Sequence, residues 1–278
     1  MDWYEPYGTT SSDDWTVRTG MAYTGLSIME LPEGGRRVVE TGEREMLVVP
    51  LTGSAIVRCG GERYELAGRA GVFDAATDFC YLPRRSAATI ETVHGGRIAL
   101  PSAPTERDLP FRYVGVADVP VELRGAGSCS RQVNNMASAD SAVCDRLQVV
   151  EVLTPGGNWS SFPPHKHDEH TESESELEEI YYFEIADGGV GYHRVYASGD
   201  RPIDVLAEVS TGDVVHVPYG WHGPSIATPG YPMYYLNVMA GPHPERAWRI
   251  SDDPKYGWIR DTWSEQSVDP RLPMGGKR

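Results

Sequence analysis

Short runs of branched and aromatic residues recur along the chain, each cut off by glycine, proline or charge. MLVVPL, AIVRC, GVFDAA, FCYLP and AATIETV occupy the first half; LQVVEVL, EIYYFEI, VGYHRVYA, DVLAEV, DVVHVP and MYYLNVMAG occupy the second. Runs of this length and composition between turn residues predict strands, and their number predicts an all-β sandwich or barrel rather than βαβ units. Sustained helical periodicity is scarce. The short helical candidates are the start of the acid-rich HTESESELEE segment and the stretch from Pro244 to Ile250.

The two halves can be laid over one another. REMLVVPLTGSAIVRCGGERYEL followed by AGVFDAATDFCYLPRRSAATI parallels EEIYYFEIADGGVGYHRVY followed by STGDVVHVPYGWHGPSIAT. In each, an acid opens an apolar strand, a glycine-containing turn returns the chain, and a later strand ends in a proline turn. The repeat predicts two related barrels, residues 1–118 and 119–278, with a linker near Val119 to Gly127.

Charge and composition remove several function classes. The 278 residues carry 25 basic against 40 acidic side chains, a net charge of −15, with no basic run longer than a pair. Binding to a nucleic-acid backbone needs clustered positive charge and is not expected. No apolar run is long enough to span a bilayer, and MDWYEPYGTTSSDDW has no apolar core behind a basic start, so a cytoplasmic protein without a membrane partner is expected. Cys59, Cys80, Cys129 and Cys144 are far apart and read as reduced core thiols. Exposed edge strands are compatible with a homo-oligomer.

The chemistry concentrates in FPPHKHDEH, residues 162 to 170. In a strand, His165 and His167 share a face while Lys166 points away. Downstream, Glu178 and Glu179 open the strand EEIYYFEI. Glu179 shares a face with Tyr181, Phe183 and Ile185, the more apolar set, and is the better candidate to face the interior; Glu178 is its rival. His222, after the turn in VPYGWHG, supplies a further imidazole. His165, His167, Glu179 and His222 together suit one borderline divalent cation, zinc first, with manganese, iron or nickel as alternatives. In the first half Glu45 is matched to Glu179, but no HxH precedes it and LPRRSAA replaces VPYGWHG, so that barrel is expected to be degenerate and metal-free.

These residues resemble the cupin pattern of HxH, then Glu, then a glycine, a strand, a PxG turn and His, and the duplicated layout resembles a bicupin of two double-stranded β-helix (jelly-roll) barrels. The stretches GNWSSFPPHKHDEH, LEEIYYFEI, VPYGWHGPS, YYLNVMAGP and GRAGVFDAATDFCYLP are similar to the 5-deoxy-glucuronate isomerases of bacterial myo-inositol degradation, relatives of the 5-keto-4-deoxyuronate isomerases of pectin breakdown. Two departures stand out: His167 and Glu179 are farther apart than in most cupins, with Glu172 at the usual spacing, and a single residue separates Gly220 from His222.

The resemblance implies an aldose-ketose isomerase that converts 5-deoxy-D-glucuronate to 5-dehydro-2-deoxy-D-gluconate. It implies a metal that binds both reacting oxygens, and a group outside the ligand set to handle protons, for which Glu178, Tyr181 and Tyr182 are the candidates by adjacency. The small uronate substrate carries a carboxylate, for which Arg131 and Lys166 are the nearest cationic candidates. The same ligand set would also serve a cupin dioxygenase or decarboxylase, or hold a structural ion in a sugar-binding bicupin.

Overall fold

The computed structural model describes residues 3–8, 11–12, 15–18 and 20–275. Among them regular structure is strand or short 3-10 turn, with no α-helix. The start of the HTESESELEE segment and the stretch from Pro244 to Ile250, expected as helices, are irregular. GVFDAA is not a strand either: the Asp74 N–H closes a turn on the Gly71 carbonyl (3.1 Å). The Asp78 carboxylate then takes the N–H groups of Ala67 and Gly68 (2.8 and 3.0 Å).

In the first half one strand, Arg44–Cys59, runs through both faces of the sandwich. Its first part pairs with His94–Pro104 and Phe79–Leu82, its second with Glu62–Arg69 and Ala87–Glu91. The reading of MLVVPL and AIVRC as separate strands missed this continuity. The bend falls at Gly53, whose φ is +78° and where a Cβ would collide with the Gly95 carbonyl.

The second half faces a seven-stranded sheet against a six-stranded one, and the sheets do not close into a ring. The larger runs Tyr4–Glu5, Val214–Val217, Glu178–Ile185, Met233–Ala240, Gln148–Thr154, Arg131–Ala137, Val121–Arg124. Two departures from the sequence reading appear here. The expected linker contains an edge strand, Val121–Arg124, and Tyr4–Glu5 crosses from the first half to pair with Val214 and Val215.

The repeat is present, but shifted by one residue at its central acid. Glu45 lies opposite Ala103, and Glu178 lies opposite Ala240. Glu45 accepts the backbone N–H groups of Asp145, Arg146 and Leu147 (2.8, 2.6 and 2.7 Å). Glu178 accepts those of Ala22, Tyr23 and Thr24 (3.0, 2.7 and 3.2 Å). Each half thus clasps the backbone of the other with equivalent carboxylates. Glu45 therefore corresponds to Glu178 rather than Glu179, and the place of Glu179 is taken by Met46. The interior around Met46 is hydrocarbon: Leu31, Val39, Val48, Ala88 and Phe111.

Between the halves, Leu47, Val49 and Tyr81 pack into one core with Ile180, Tyr182 and Leu236. An ion pair, Arg69 with Glu151, crosses this core with side chains 0 and 1 % exposed. Asn134 and Tyr234 also donate to Glu151 (3.0 and 2.9 Å). Removing one partner of such a pair strands a buried charge, whereas removing both does not. Glu151→Ala is expected to lower unfolding stability by about 3–5 kcal/mol. The double variant Arg69→Met/Glu151→Leu should recover a large part of that loss in a denaturant titration.

Candidate metal centre

His165 sits in the two-residue strand His165–Lys166, held between Trp221–Ala227 and Ser251–Asp252, and lies directly opposite His222. His167 follows it, and Glu179 comes from the facing sheet. All four are buried, between 0 and 7 % exposed. The three imidazoles each bring a ring nitrogen within 4.8 Å of the other two. Glu179 Oε2 is 3.0 Å from His167 Nε2 and 3.1 Å from His222 Nε2.

The tautomers make this cluster informative. His167 Nδ1 is 3.1 Å from the Leu177 carbonyl, and His222 Nδ1 is 3.1 Å from the Gly220 carbonyl. A carbonyl only accepts, so both Nδ1 atoms carry hydrogen, and in the neutral rings both Nε2 atoms present lone pairs. Those lone pairs meet a carboxylate oxygen in a buried space. The arrangement needs positive charge between the three atoms, from extra protons or from a metal ion. Burial and the neighbouring rings of His222 and His167 push His165 well below the usual imidazole range, so it is neutral, and its buried Nδ1 has no partner. Three imidazoles and a carboxylate are a donor set that a divalent cation fits. Backbone carbonyls holding the far nitrogens orient His167 and His222, as second-layer hydrogen bonds do in metal sites.

The acid-rich insert between His167 and Glu179 is folded around Lys166. Its ammonium is 2.8 Å from both Asp168 and Glu174, and Glu174 also accepts the N–H groups of Asp168 and Glu169. Glu172, at the usual cupin spacing, is exposed in the turn beyond. The lengthened spacing is thus a loop folded on its own ion pairs, and Lys166 is engaged there rather than in the cavity.

His165 and Glu179 open onto a cavity of about 200 Å³. Tyr181 lines it, its hydroxyl 3.3 Å from Ser161 Oγ, which is also 3.3 Å from the Tyr235 hydroxyl. Burial, then the charge of Glu179, pushes the Tyr181 phenol well above its usual value, so it keeps its proton. Asn237, directly opposite Tyr181, also faces the cavity, and its buried Nδ2 has no partner.

Arg124, Arg131 and Arg260 supply the positive lining. Arg124 is spent on Glu122 (2.7 Å) and Arg260 on Asp252 (2.7 Å). Arg131, 5 % exposed, donates to the Cys129 carbonyl (3.1 Å) and lies 5.6 Å from the Trp263 ring; among the described residues it has no carboxylate partner. Burial lowers its pKa to about 10, which leaves it charged at neutral pH. Its charge is thus buried beside the cavity with only a backbone carbonyl and an aromatic ring against it.

Two of the three catalytic candidates lie elsewhere. Glu178 is in the clasp between the halves. Tyr182 points to the same side, donating to Glu184 (3.1 Å) with Arg97 3.3 Å away. Glu178 and Tyr182 are one and three positions from Glu179 on the strand, and odd offsets face opposite ways, so both lie outside the cavity. Sequence reading missed Tyr235, Asn237, Arg260 and the buried His193, whose Nδ1 is 2.8 Å from Ser225 Oγ and whose ring packs on Tyr181. For Tyr235, Asn237 and His193 a signal existed: polar residues at the inward parity of apolar strands. Arg260 sits in the 3-10 segment Gly257–Glu265, which has no periodicity to read.

Two jelly-roll halves, one enclosing three histidines and a glutamate, define a bicupin with a metal-type pocket. A solved oxalate decarboxylase of Lactobacillus farciminis shares the fold, with a TM-score of 0.64 at 12 % identity over 92 % of this chain and 89 % of that one. An IolB-like protein of Salmonella typhimurium LT2 superposes with a TM-score of 0.87 at 34 % identity, covering 93 % of this chain and 99 % of that one. The 5-deoxy-glucuronate isomerase of Geobacillus thermodenitrificans is 41 % identical over 247 residues, 87 % of this chain and 88 % of that protein. The KduI/IolB family model matches residues 8–259, and the chain belongs to that family.

Purified protein is expected to carry about one divalent ion per chain by elemental analysis. His165→Ala, His222→Ala and Glu179→Ala should each reduce it to a trace, while Glu178→Ala leaves it in place.

Proposed function

We propose that this chain is a 5-deoxy-glucuronate isomerase that converts the aldose 5-deoxy-D-glucuronate to the ketose 5-dehydro-2-deoxy-D-gluconate in the cytoplasmic degradation of myo-inositol. The names of relatives about 40 % identical over most of the chain support the substrate. The observation that carries the reaction type is one cavity bounded both by the His165–Glu179 cluster and by an unpaired Arg131.

His165, His167, Glu179 and His222 are the proposed ligands of one divalent ion, zinc first, with manganese, iron or nickel as alternatives. When bound, the ion supplies Lewis acidity to the adjacent oxygens of the aldehyde and its neighbouring hydroxyl. Arg131 receives the substrate carboxylate at the other end, Asn237 donates to a substrate hydroxyl, and the apolar lining of Trp248 and Ile250 helps exclude water. In this reading Tyr181 keeps its proton until it passes it between the two reacting oxygens, and its hydroxyl contact to Ser161, which also touches Tyr235, supports a relay.

The hydrogen that moves from carbon 2 to carbon 1 needs either a base or a direct shift. Among the described residues lining the cavity, the imidazole and the carboxylate are the proposed ligands His165 and Glu179, and the phenols Tyr181 and Tyr235 are both held protonated by burial. None of these described lining residues is left over as a free general base, which favours a hydride shift between the carbons, with the hydroxyl proton carried by Tyr181.

Turnover of 5-deoxy-D-glucuronate in D2O is expected to give product without carbon-bound deuterium by NMR; deuterium at carbon 1 would establish proton transfer through a base. A dioxygenase on the same scaffold would lose activity under anaerobic conditions, and this reaction should not. Tyr181→Phe is expected to lower kcat by about 10²- to 10³-fold with little change in bound metal. Glu178→Ala should lower the melting temperature but leave kcat per folded molecule near that of the parent, which separates the clasp from catalysis.

A further inference from the structure

The polarity of the cavity changes along its length, and the change follows from the register of the seven-stranded sheet. On the inward face Tyr181 lies opposite Asn237, one step along Tyr235 lies opposite Val152, and Val152 lies opposite Val133. Arg131 is two residues from Val133 on the same strand and points to the same side. From the ligand corner to the guanidinium corner the wall therefore presents Glu179, then Tyr181 with Asn237, then Tyr235 beside Val152, then Val133, then Arg131. Val133 and Val152 are 1 and 5 % exposed, and both line the cavity.

We infer that Val133 and Val152 are specificity determinants that select a methylene next to the substrate's carboxylate and reject a uronate with a hydroxyl there. The inference rests on the isomerase reading above and assigns it a discriminating element. With the reacting oxygens at the histidine cluster and the carboxylate on Arg131, the carbon beside the carboxylate crosses the two valines. A hydroxyl at that carbon leaves water and finds neither donor nor acceptor on the valine side chains, while the Tyr235 hydroxyl opposite Val152 is engaged with Ser161 (3.3 Å), so the sugar hydroxyl's hydrogen bonds go unmade. Asn237 does the reverse toward the other end: its buried, unpartnered Nδ2 favours a carbon that carries oxygen. A reversed substrate would place hydroxyls on the valines and leave Arg131 without an anion, so the same gradient also sets the direction of binding.

The test compares kcat/KM for 5-deoxy-D-glucuronate and D-glucuronate, which differ only in that hydroxyl, in the parent, Val133→Thr and Val152→Thr. Threonine keeps the shape of valine and adds a group that can bond to the hydroxyl. An apolar pocket rejects an added hydroxyl by on the order of 10²-fold, so a preference of that size for the deoxy sugar is expected in the parent. At least one variant should shrink it about tenfold or more, by gaining on glucuronate and losing on the deoxy sugar. Because both substrates are read on the same preparation, partial unfolding of a variant cancels in the ratio. A parent with no preference, or two variants that keep the parental ratio while turning over the deoxy sugar, would overturn the inference alone. A parent that turns over neither sugar would overturn the isomerase reading and this inference with it.

Discussion

Two imidazole nitrogens that lie 3.0 and 3.1 Å from one Glu179 oxygen, all of them sealed from water, cannot rest together as bare lone pairs. Their mutual repulsion is the constraint around which the second half is organised. The backbone carbonyls of Leu177 and Gly220 fix which nitrogens face inward, so the rings cannot relieve the conflict by changing tautomer. Lys166 gathers the acidic insert into its own ion pairs, which keeps competing carboxylates away from the cluster. The rest of the inward face is then free to deal with a substrate rather than with the protein's own charges.

That inward face is graded. Polar groups stand near the histidines, hydrocarbon follows, and an unpaired guanidinium ends the series. Each side chain reaches its place through strand pairing alone, since the residues come from four neighbouring strands whose registers are fixed by the sheet. Rigid sheet positions suit a reaction in which small displacements of the reacting atoms are costly.

Much of this was legible in the chain. Period-two alternation named the inward residues of EEIYYFEI correctly, placing Glu179 and Tyr181 on one side and Glu178 and Tyr182 on the other. The same rule applied to MYYLNVMAG would have found Tyr235 and Asn237. What parity could not supply was the partner of each face. Nothing in the letters around Glu45 or Glu178 says that their carboxylates cap backbone from the opposite half, because those contacts span 100 to 156 residues. The expected linker at Val121 became an edge strand for a similar reason: VPVEL has strand-forming residues, and only the neighbouring sheet decides whether they pair. Arg131 was named as an anion receptor, while Arg260 arrived on irregular chain that no periodicity describes.

Neighbouring letters at the head of each central strand answer to different demands. Glu45 and Glu178 look outward and lock the halves together, while Met46 and Glu179 look inward and decide what each barrel encloses. Because the pleat sends them to opposite sides, the interior of one barrel can drift from ionic to oily without loosening the joint. The first barrel shows that separation: an intact hinge-pin beside an interior packed with hydrocarbon. The same independence makes that interior the place where side chains could be exchanged for a new centre while the rest of the architecture stands.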